Sequence, residues 1–504
     1  MNTASWLSNQ VSRLLPQTAR LGKSQAYESG AGGKTPVQAS VVASPPVRST
    51  ADRLKGRVKQ GGEALSPREL RQRLEELRAI IDPHVSEVEG GRRAKALAQW
   101  YAGVAVLHRL DLWLLMSEQF VADPRVLKEA QARLAEVAGT PDEAAAEVTF
   151  RRATVSPRRR LLQRFSAFSG GIRLLVDMRA ELLPYLKTDK RLQALDVEME
   201  YMFSTWFDVG FLDLRRISWD SPASLIEKLI KYEAVHDIKS WADVKNRLDS
   251  DRRCYGFFHP NLPDEPLIFV EVALGDAMPG QIMPLLDETA APANLDQATV
   301  ACFYSISNTQ LGLRGVSFGD SLIKRVVESL KLEFPKLKVF VTLSPIPGFR
   351  TWLTKNATQM VAQLDDKALQ QLHRDLAIEG GSDDAKPMAL QADLAQRLLA
   401  VANQAIELAA DRPVGKMLLR CAASYLSDQQ PRGKPLDPVA RFHLGNGARV
   451  ERLNWAGDPS TKGLRQSCGL MVNYLYDLKR LDARRASLEE GKIAVSSAVQ
   501  RLRF

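Results

Sequence analysis

The chain has 504 residues, of which 45% are hydrophobic and 25% charged, a composition typical of globular proteins that allows two to four domains. No stretch has the roughly 18 uninterrupted apolar residues of a membrane-spanning helix, so no membrane partner is expected. The nearest, residues 100–116, contains His108, Arg109 and Asp111 and predicts a buried helix. The formal net charge of +10 favours anionic partners, either nucleic acid or a polyphosphorylated ligand of the CoA type.

Motifs of the common nucleic-acid-binding folds are absent from the sequence. It has no zinc-finger spacing, no basic region with heptads and no RNP-like aromatic motif, so a nucleic-acid partner is not expected. Its four cysteines are far apart and form no CxxC pair, which argues against a disulfide scaffold or a zinc site and fits a reducing compartment. Cys302 lies in an apolar run and predicts a core residue.

Residues 1–62 are rich in Ser, Gly, Pro, Gln and Ala and carry little periodic apolar pattern, which predicts a disordered segment. No acidic residue precedes Glu28, whereas Arg13, Arg20 and Lys23 are basic, as in organelle transit peptides. We expect a cytoplasmic protein, with mitochondrial import as the alternative.

Residues 63–205 predict an all-helical domain. Ser66, Pro67 and Glu69 supply an N-cap, a first-turn proline and a capping-box glutamate at its start. Helical patterns follow over residues 92–121, 125–137, 143–152, 158–186 and 191–207, without strand-like alternation. We predict a helical bundle that serves as support or as an oligomer contact.

Residues 206–504 predict a mixed α/β domain. Helical patterns cover residues 222–232 and 241–248, and strand patterns cover residues 254–258 and 266–274, joined by a hairpin connection over residues 260–266. A helical insertion is expected over about residues 360–428. Short strands follow it, one of them over residues 439–444, before a turn at Gly445-Asn446-Gly447.

The most informative stretch of this domain is residues 301–353. A strand over residues 301–306 is followed by a loop with Gly312, Gly315 and Gly319, and then by a helical pattern from Asp320. Glycines and a helix N-terminus suit phosphate binding, because backbone N–H groups there attract anions. Ordinary turn chemistry is the alternative, since a glycine-bearing loop alone is weak evidence.

A second strand is predicted over residues 337–343, with Ser344 at its end. The rigid turn of residues 345–349 then presents Ser344 at the carboxyl end of the strand, where open α/β sheets bind ligands. Many serines in such positions only stabilise a turn. His443 falls in the predicted strand 439–444, where a buried histidine is more often a core residue than a catalyst, and spacing alone does not pair it with Ser344.

Several motifs of this sequence closely resemble the malonyl-CoA decarboxylase family: YEAVHDIKSWADVKNRL, RRCYGFFHP, FYSISNTQLGLRGVSFGDSLIKRVV, TLSPIPGF, FHLGNGARVERLNWAGDPS and SCGLMVNYLYDL. The likeness covers roughly residues 68–478. It implies a helical amino-terminal domain joined to a catalytic domain of the acyl-CoA N-acyltransferase (GNAT-like) fold. It also implies conversion of malonyl-CoA to acetyl-CoA and carbon dioxide with neither a cofactor nor a metal.

By the matching motifs, the resemblance implies a catalytic pair of Ser344, from SPIPGF, and His443, from the FHL-NGA run. Ser305 and Tyr476 correspond to active-site positions that bind substrate. The malonyl-CoA loop maps onto Arg314, Gly315, Val316, Ser317, Phe318, Gly319 and Asp320. Family members with a glutamate in this loop have it where this chain has Ser317, so no role of that carboxylate carries over.

Two other functions remain open at the level of the sequence. The fold implied by the resemblance commonly moves acyl groups from CoA to amines, so a CoA-dependent acyltransferase is one alternative. The large helical part suggests a non-catalytic CoA-binding scaffold as the other. The resemblance also makes a homo-oligomer, assembled through the helical domain, the expected state.

Overall fold

The computed structural model describes residues 64–316, 322–376, 387–402, 407–428 and 434–503. The predicted disordered segment, residues 1–62, lies outside this range. The chain divides into two compact units, Met1–Met202 and Phe203–Phe504. The described part of the first unit is helical and the second combines a sheet with helices, so the predicted helical region followed by a mixed α/β domain is confirmed.

The helical unit begins as the sequence predicts. Ser66 Oγ accepts a hydrogen bond from the Glu69 N–H, and the Glu69 carboxylate accepts one from the Ser66 N–H, which satisfies two amides at the start of the first helix. The helices are α1 (Pro67–Ile80), α2 (Glu87–Gly103), α3 (Val106–Gln119), α4 (Pro124–Glu136), α5 (Glu143–Thr154), α6 (Pro157–Ser166), α7 (Gly171–Leu182) and α8 (Gln193–Trp206), the last of which crosses the boundary between the units.

Two of the long helices predicted in this unit are each divided. The pattern over residues 92–121 forms α2 and α3, because the chain becomes extended at Val104, directly after Gly103. The pattern over residues 158–186 forms α6 and α7, which are joined through Gly170 with φ of 84°. A glycine adopts this left-handed conformation without a Cβ clash, so the chain turns there and the helix does not continue.

An eight-stranded sheet forms the frame of the second unit, in the order β1-β2-β3-β4-β5-β8-β6, with β7 paired to β8. Among the strands of the described residues, β4 and β5 are the pair that runs parallel, and the other pairs are antiparallel. The strands are β1 (Asp213–Ile217), β2 (Arg252–His259), β3 (Leu262–Gly275), β4 (Val300–Asn308), β5 (Val339–Thr342), β6 (Ser344–Pro345), β7 (Arg449–Asn454) and β8 (Met471–Leu475). Every residue of β2 is buried, as expected for an interior strand covered on both faces.

The sheet corrects the sequence predictions in several places. The connection predicted over residues 260–266 is only Pro260 and Asn261, because β3 already begins at Leu262. β1 and β8 were not predicted, since each is only five residues long and gives little pattern. The strand predicted over residues 439–444 is a helix.

β4, β5 and β8 meet where the candidate site lies. The β4–β5 ladder runs from the pair Val300 and Val339 to the pair Phe303 and Thr342. β8 pairs with β5 only at Val341 and Leu475, and then with β6, where Val472 faces Ser344. The chain after β5 therefore enters a gap that is bordered by β8.

Helices cover this sheet and continue after it. They are α9 (Ala223–Tyr232), α10 (Trp241–Arg247), α11 (Met283–Leu286), α12 (Leu322–Glu333), α13 (Phe349–Ala362), α14 (Asp366–Leu376), α15 (Pro387–Val401), α16 (Pro413–Ser427), α17 (Pro438–Gly445), α18 (Thr461–Ser467), α19 (Leu481–Glu489) and α20 (Ser497–Gln500). Gly380-Gly381-Ser382, within the predicted helical insertion, falls outside the described residues. All four cysteines are buried, Cys302 in the core as predicted. None of the helices in the described ranges is long and apolar enough to cross a membrane.

Candidate active site

Ser344 lies two residues beyond the end of β5, close to where the sequence predicts it. Its side chain is 5% exposed, and its backbone pairs with Val472 of β8. Ser344 Oγ donates a hydrogen bond of 2.8 Å to Thr342 Oγ1, which also accepts one from the Tyr474 N–H. These contacts fix the position of the serine hydroxyl at the edge where β5 and β8 separate.

His443 lies near the end of α17 and not in a strand. Asp437 is the N-cap of this helix and Pro438 its first residue, a combination that starts helices. Gly447, with φ of 81°, donates its N–H to the carbonyl of Leu444 just after the helix ends. The residues that indicated a hairpin turn therefore form a helix C-terminus, which corrects the prediction for residues 439–444.

The structure brings Ser344 and His443 together although 99 positions separate them in the chain. Ser344 Oγ lies 3.1 Å from His443 Nε2, and His443 Nδ1 lies 2.8 Å from the Tyr476 hydroxyl. The His443 ring stacks on Tyr474 with 4.5 Å between ring centroids and is 4% exposed. Both ring nitrogens therefore have partners in a site that is shielded from water.

The direction of the hydrogen bond from Ser344 to Thr342 is the basis on which we assign the tautomer of His443. Ser344 Oγ donates its single proton to Thr342, so it accepts from the N–H at Nε2. Nδ1 is then the acceptor, and Tyr476 donates to it. Burial lowers the pKa of His443 to about 3, because the imidazolium loses its hydration, and raises the pKa of Tyr476 well above its usual value. The imidazole is neutral at pH 7 and Tyr476 keeps its proton.

The neutral state of the His443 ring predicts how His443 responds to acid. In NMR spectra of histidine-labelled protein, the signal that His443→Gln removes should show no titration between pH 8 and 5, because the folded ring takes up a proton only near pH 3. The unfolded chain binds that proton near pH 6.5, so acidification through this window favours unfolding by up to ~1.4 kcal/mol per pH unit. A His443 signal that titrates near pH 6.5 in the ligand-free protein would contradict the assignment.

Asp437 connects the two segments that carry the pair. Its buried carboxylate accepts hydrogen bonds from the N–H groups of Val439 and Ala440 in α17. It also accepts from the Gly348 N–H, in the turn after Ser344, at 3.4 Å and from the Tyr425 hydroxyl at 3.3 Å. One carboxylate thus holds both the helix of His443 and the turn of Ser344. Burial raises the pKa of Asp437, and these hydrogen bonds oppose the shift.

Ser305 has a different hydrogen-bond environment. A bulge in β4 leaves Tyr304 without a partner in β3, and Ser305 Oγ then contacts the buried carboxylate of Glu233 at 2.8 Å. Ser307 donates to the same carboxylate. Ser305 makes no hydrogen bond to Ser344 or His443 among the described residues. Phe303 lies on the other side of the bulge, and the centroid of its ring is 6.5 Å from that of Tyr476.

The glycine-bearing loop is described only in part. Arg314, Gly315 and Val316 follow a short 3₁₀ turn over Leu311–Leu313, and Gly315 has φ of 84°, a left-handed conformation that favours glycine. Val316 is buried. Ser317, Phe318, Gly319 and Asp320 lie outside the described residues. α12, the helix predicted after the loop, begins at Leu322 within the described range.

Four residues of this site were not predicted from the sequence: Thr342, Asp437, Tyr474 and Glu233. The sequence Asp437-Pro438 is an N-cap signal that could have revealed α17 and, with it, the helical position of His443. Glu233 ends a helix and contacts serines 72 and 74 positions away, so no local pattern indicates it. Within the described ranges, no group of three or more His, Cys, Asp or Glu residues could hold a metal ion.

The mixed α/β unit contains the buried Ser344–His443 pair, and comparison with known proteins gives the family of the chain. Residues 210–503 match the model of the malonyl-CoA decarboxylase C-terminal domain, and residues 120–207 match that of the N-terminal domain. The chain therefore belongs to the malonyl-CoA decarboxylase family.

Individual relatives agree with this assignment. The mitochondrial malonyl-CoA decarboxylase of Anser anser anser is 34% identical over 399 residues, which cover 77% of this chain and 78% of the relative. The mitochondrial malonyl-CoA decarboxylase of Rattus norvegicus is 37% identical over 402 residues, which cover 75% of this chain and 78% of the relative. The crystal structure of malonyl-CoA decarboxylase from Rhodopseudomonas palustris is 41% identical with a TM-score of 0.70, covering 87% of this chain and 100% of that one. The crystal structure of malonyl-CoA decarboxylase from Cupriavidus metallidurans is 40% identical with a TM-score of 0.68, covering 86% of this chain and 100% of that one.

Proposed function

We propose that this protein converts malonyl-CoA to acetyl-CoA and carbon dioxide, with Ser344 and His443 as the catalytic pair. Membership of the malonyl-CoA decarboxylase family supports the reaction. The observation that carries the site assignment is the hydrogen bond between Ser344 and His443, which joins two distant segments in a buried position.

The reaction needs two things from the protein. When the bond between C2 and the carboxylate breaks, its electron pair moves onto the thioester carbonyl and gives an enolate, which hydrogen-bond donors stabilise. C2 must then receive a proton. The thioester carbonyl is itself the electron sink, so this route requires no cofactor. The Ser344 hydroxyl becomes the donor to the enolate when it turns from Thr342 toward the substrate, and the His443 N–H continues to donate to Ser344 Oγ.

The neutral state of His443 suggests how the proton arrives. A malonyl carboxylate placed beside the ring raises the pKa of His443, because a nearby negative charge favours the imidazolium. Substrate binding would then be accompanied by proton uptake. Once carbon dioxide leaves, the imidazolium can return its proton toward C2 through Ser344, and Tyr476 holds the other nitrogen throughout.

Ser344→Ala and His443→Asn test the assignment directly. Each change removes a donor to the developing negative charge, so kcat for release of acetyl-CoA should fall on the order of a hundredfold to a thousandfold. Ser427→Ala is a matched control, because among the described residues Ser427 Oγ bonds only to the carbonyl of Ala423 within its own helix. Circular dichroism establishes that each variant is folded.

Turnover within a few fold of the wild type in both variants would remove Ser344 and His443 from the mechanism. The same assay, with amines added, distinguishes a decarboxylase from the two alternative functions, a CoA-dependent acyltransferase and a CoA-binding scaffold. Acetyl transfer to an amine without release of carbon dioxide identifies an acyltransferase, and CoA binding without any product identifies a scaffold.

We extend the proposal to substrate binding by the glycine-bearing loop, residues 314–320, and by Ser305 and Tyr476. The charge of Arg314 and the left-handed turn at Gly315 suit an approach of CoA phosphates to this segment. Ser317 offers a hydroxyl where some family members have a glutamate, so proton transfer in this chain does not use that carboxylate.

Arg314→Glu tests the loop assignment. Reversing the charge should raise KM for malonyl-CoA about tenfold or more while kcat changes little, because the CoA phosphates are bound equally in the ground and transition states. Arg441→Glu is the control, since the hydrogen bonds of Arg441 within the described part of the chain go only to the carbonyls of Pro435 and Leu436. An unchanged KM in Arg314→Glu would rule out a phosphate contact at this position.

The homo-oligomer expected through the helical domain stays a prediction. Several large apolar side chains of that unit are exposed, Val88 at 85% and Tyr201 at 58%, which supports a contact surface there. The cytoplasmic location also stays a prediction, and the mitochondrial location in the names above is that of the relatives.

A further inference from the structure

A cavity that is largely open to solvent lies beside β7. It has a volume of about 570 Å³ and is formed by the segment from Met278 to Leu285 on one side and by β7 with Trp455 on the other. The two walls are fixed to each other, because the Ile282 N–H donates to the Gly457 carbonyl at 2.8 Å. Gly280 permits their close approach, since a Cβ there would lie 3.1 Å from Asn454 Oδ1. The volume is in the range of small-molecule sites.

Arg452 lines this cavity, and its guanidinium is held only by neutral groups. Nε donates to Asn454 Oδ1 at 2.8 Å and to Asn473 Oδ1 at 3.1 Å, and Nη2 donates to the Met278 carbonyl at 2.9 Å. Arg452 forms no ion pair with any residue in the described ranges. Its neighbour Glu451 is paired with Arg449.

The missing counter-charge has an energetic consequence. Burial lowers the pKa of the Arg452 guanidinium from its ordinary value, because the charge has lost water. A partly buried charge without an ion partner is unfavourable unless another group compensates it. The amides of Asn454 and Asn473 and the nearby Glu451 carboxylate offset this cost only in part, so an added negative charge would favour the site further.

The free edge of the guanidinium indicates what would supply that charge. Nη1 makes no hydrogen bond with the described residues, and one hydrogen of Nη2 remains beyond the bond to Met278. Two adjacent N–H groups in a plane match the oxygens of a carboxylate or a phosphate. The three existing hydrogen bonds keep this edge in a fixed orientation.

The rest of the cavity suits an apolar or aromatic body. Trp455 is held by a hydrogen bond from Nε1 to the Leu408 carbonyl, and Met278, Pro284 and Leu285 supply apolar surface. We propose that this cavity is a binding site for a small organic oxyanion, in which Arg452 binds the carboxylate or phosphate and Trp455 contacts a flat or apolar body.

The proposed oxyanion site is separate from the catalytic pair. Arg452 is paired in register with Asn473 of β8, whereas Ser344 is paired with Val472. Successive residues of a strand point to opposite faces, so the Arg452 cavity and Ser344 lie on opposite faces of the sheet. Asn473 Nδ2 donates a hydrogen bond to the carbonyl of Thr342, and the hydroxyl of the same Thr342 accepts the hydrogen bond from Ser344. A short chain of hydrogen bonds therefore connects the two sites.

Binding of phenyl phosphate and of phenylacetate, measured by isothermal titration calorimetry on the full chain, tests the proposal. The two probes share a ring and differ in the oxyanion, so the tighter one identifies the class of ligand. Arg452→Gln should weaken binding of that probe by about 10- to 100-fold, the effect of losing a charged hydrogen-bonded pair. Arg465→Gln, an exposed position on α18 outside the lining of the cavity, should bind as the wild type does.

A second variant avoids dependence on Arg452 for folding. Gln281 is exposed at the cavity, so Gln281→Glu should fold normally and weaken binding several fold by charge repulsion, and Gln281→Lys should strengthen it. Failure of both probes to bind the wild type at millimolar concentration overturns the proposal. Equal affinity in the wild type, Arg452→Gln and Gln281→Glu overturns it as well. The measurement does not involve malonyl-CoA, so it is independent of the proposed decarboxylation.

Discussion

The withdrawal of His443 from water is the constraint on which the rest of the site depends. A buried imidazole must have partners at both nitrogens, and here Ser344 and Tyr476 supply them while Tyr474 covers one face of the ring. These partners come from separate segments, so the site forms only when the second unit is folded. Asp437 secures that arrangement, because it bonds to the helix of His443 and to the turn after Ser344.

The sheet determines where the Ser344 hydroxyl lies. The parallel ladder of β4 and β5 ends at Phe303 and Thr342, and β8 borders the chain beyond that point, so the proposed catalytic hydroxyl lies in a gap between strands. On the opposite face, the same strand β8 presents Asn473 to the cavity of Arg452. The Thr342 hydroxyl, on one side, and its carbonyl, on the other, join the two faces by hydrogen bonds.

Much of this framework could be predicted from the sequence, because long apolar runs and helix caps are local signals. β4, β5, the turn after Ser344 and the capping box of α1 are examples. The predicted secondary structure at His443 was wrong. The apolar run 439–444 was interpreted as a strand, although Asp437 before it and Gly447 after it are signals for the start and the end of a helix. The contact of Glu233 with Ser305 and the unpaired charge of Arg452 are tertiary properties, and no periodic pattern encodes them.

If Ser344 and His443 act as one catalytic unit, a double-mutant cycle of kcat for acetyl-CoA release will show it. The measurement compares Ser344→Ala, His443→Asn and the combined variant. Residues that act together lose their function when either is removed, so we expect the combined variant to be no slower than the slower single variant. If the two losses in kcat instead multiply, the two residues contribute independently and do not form one catalytic unit.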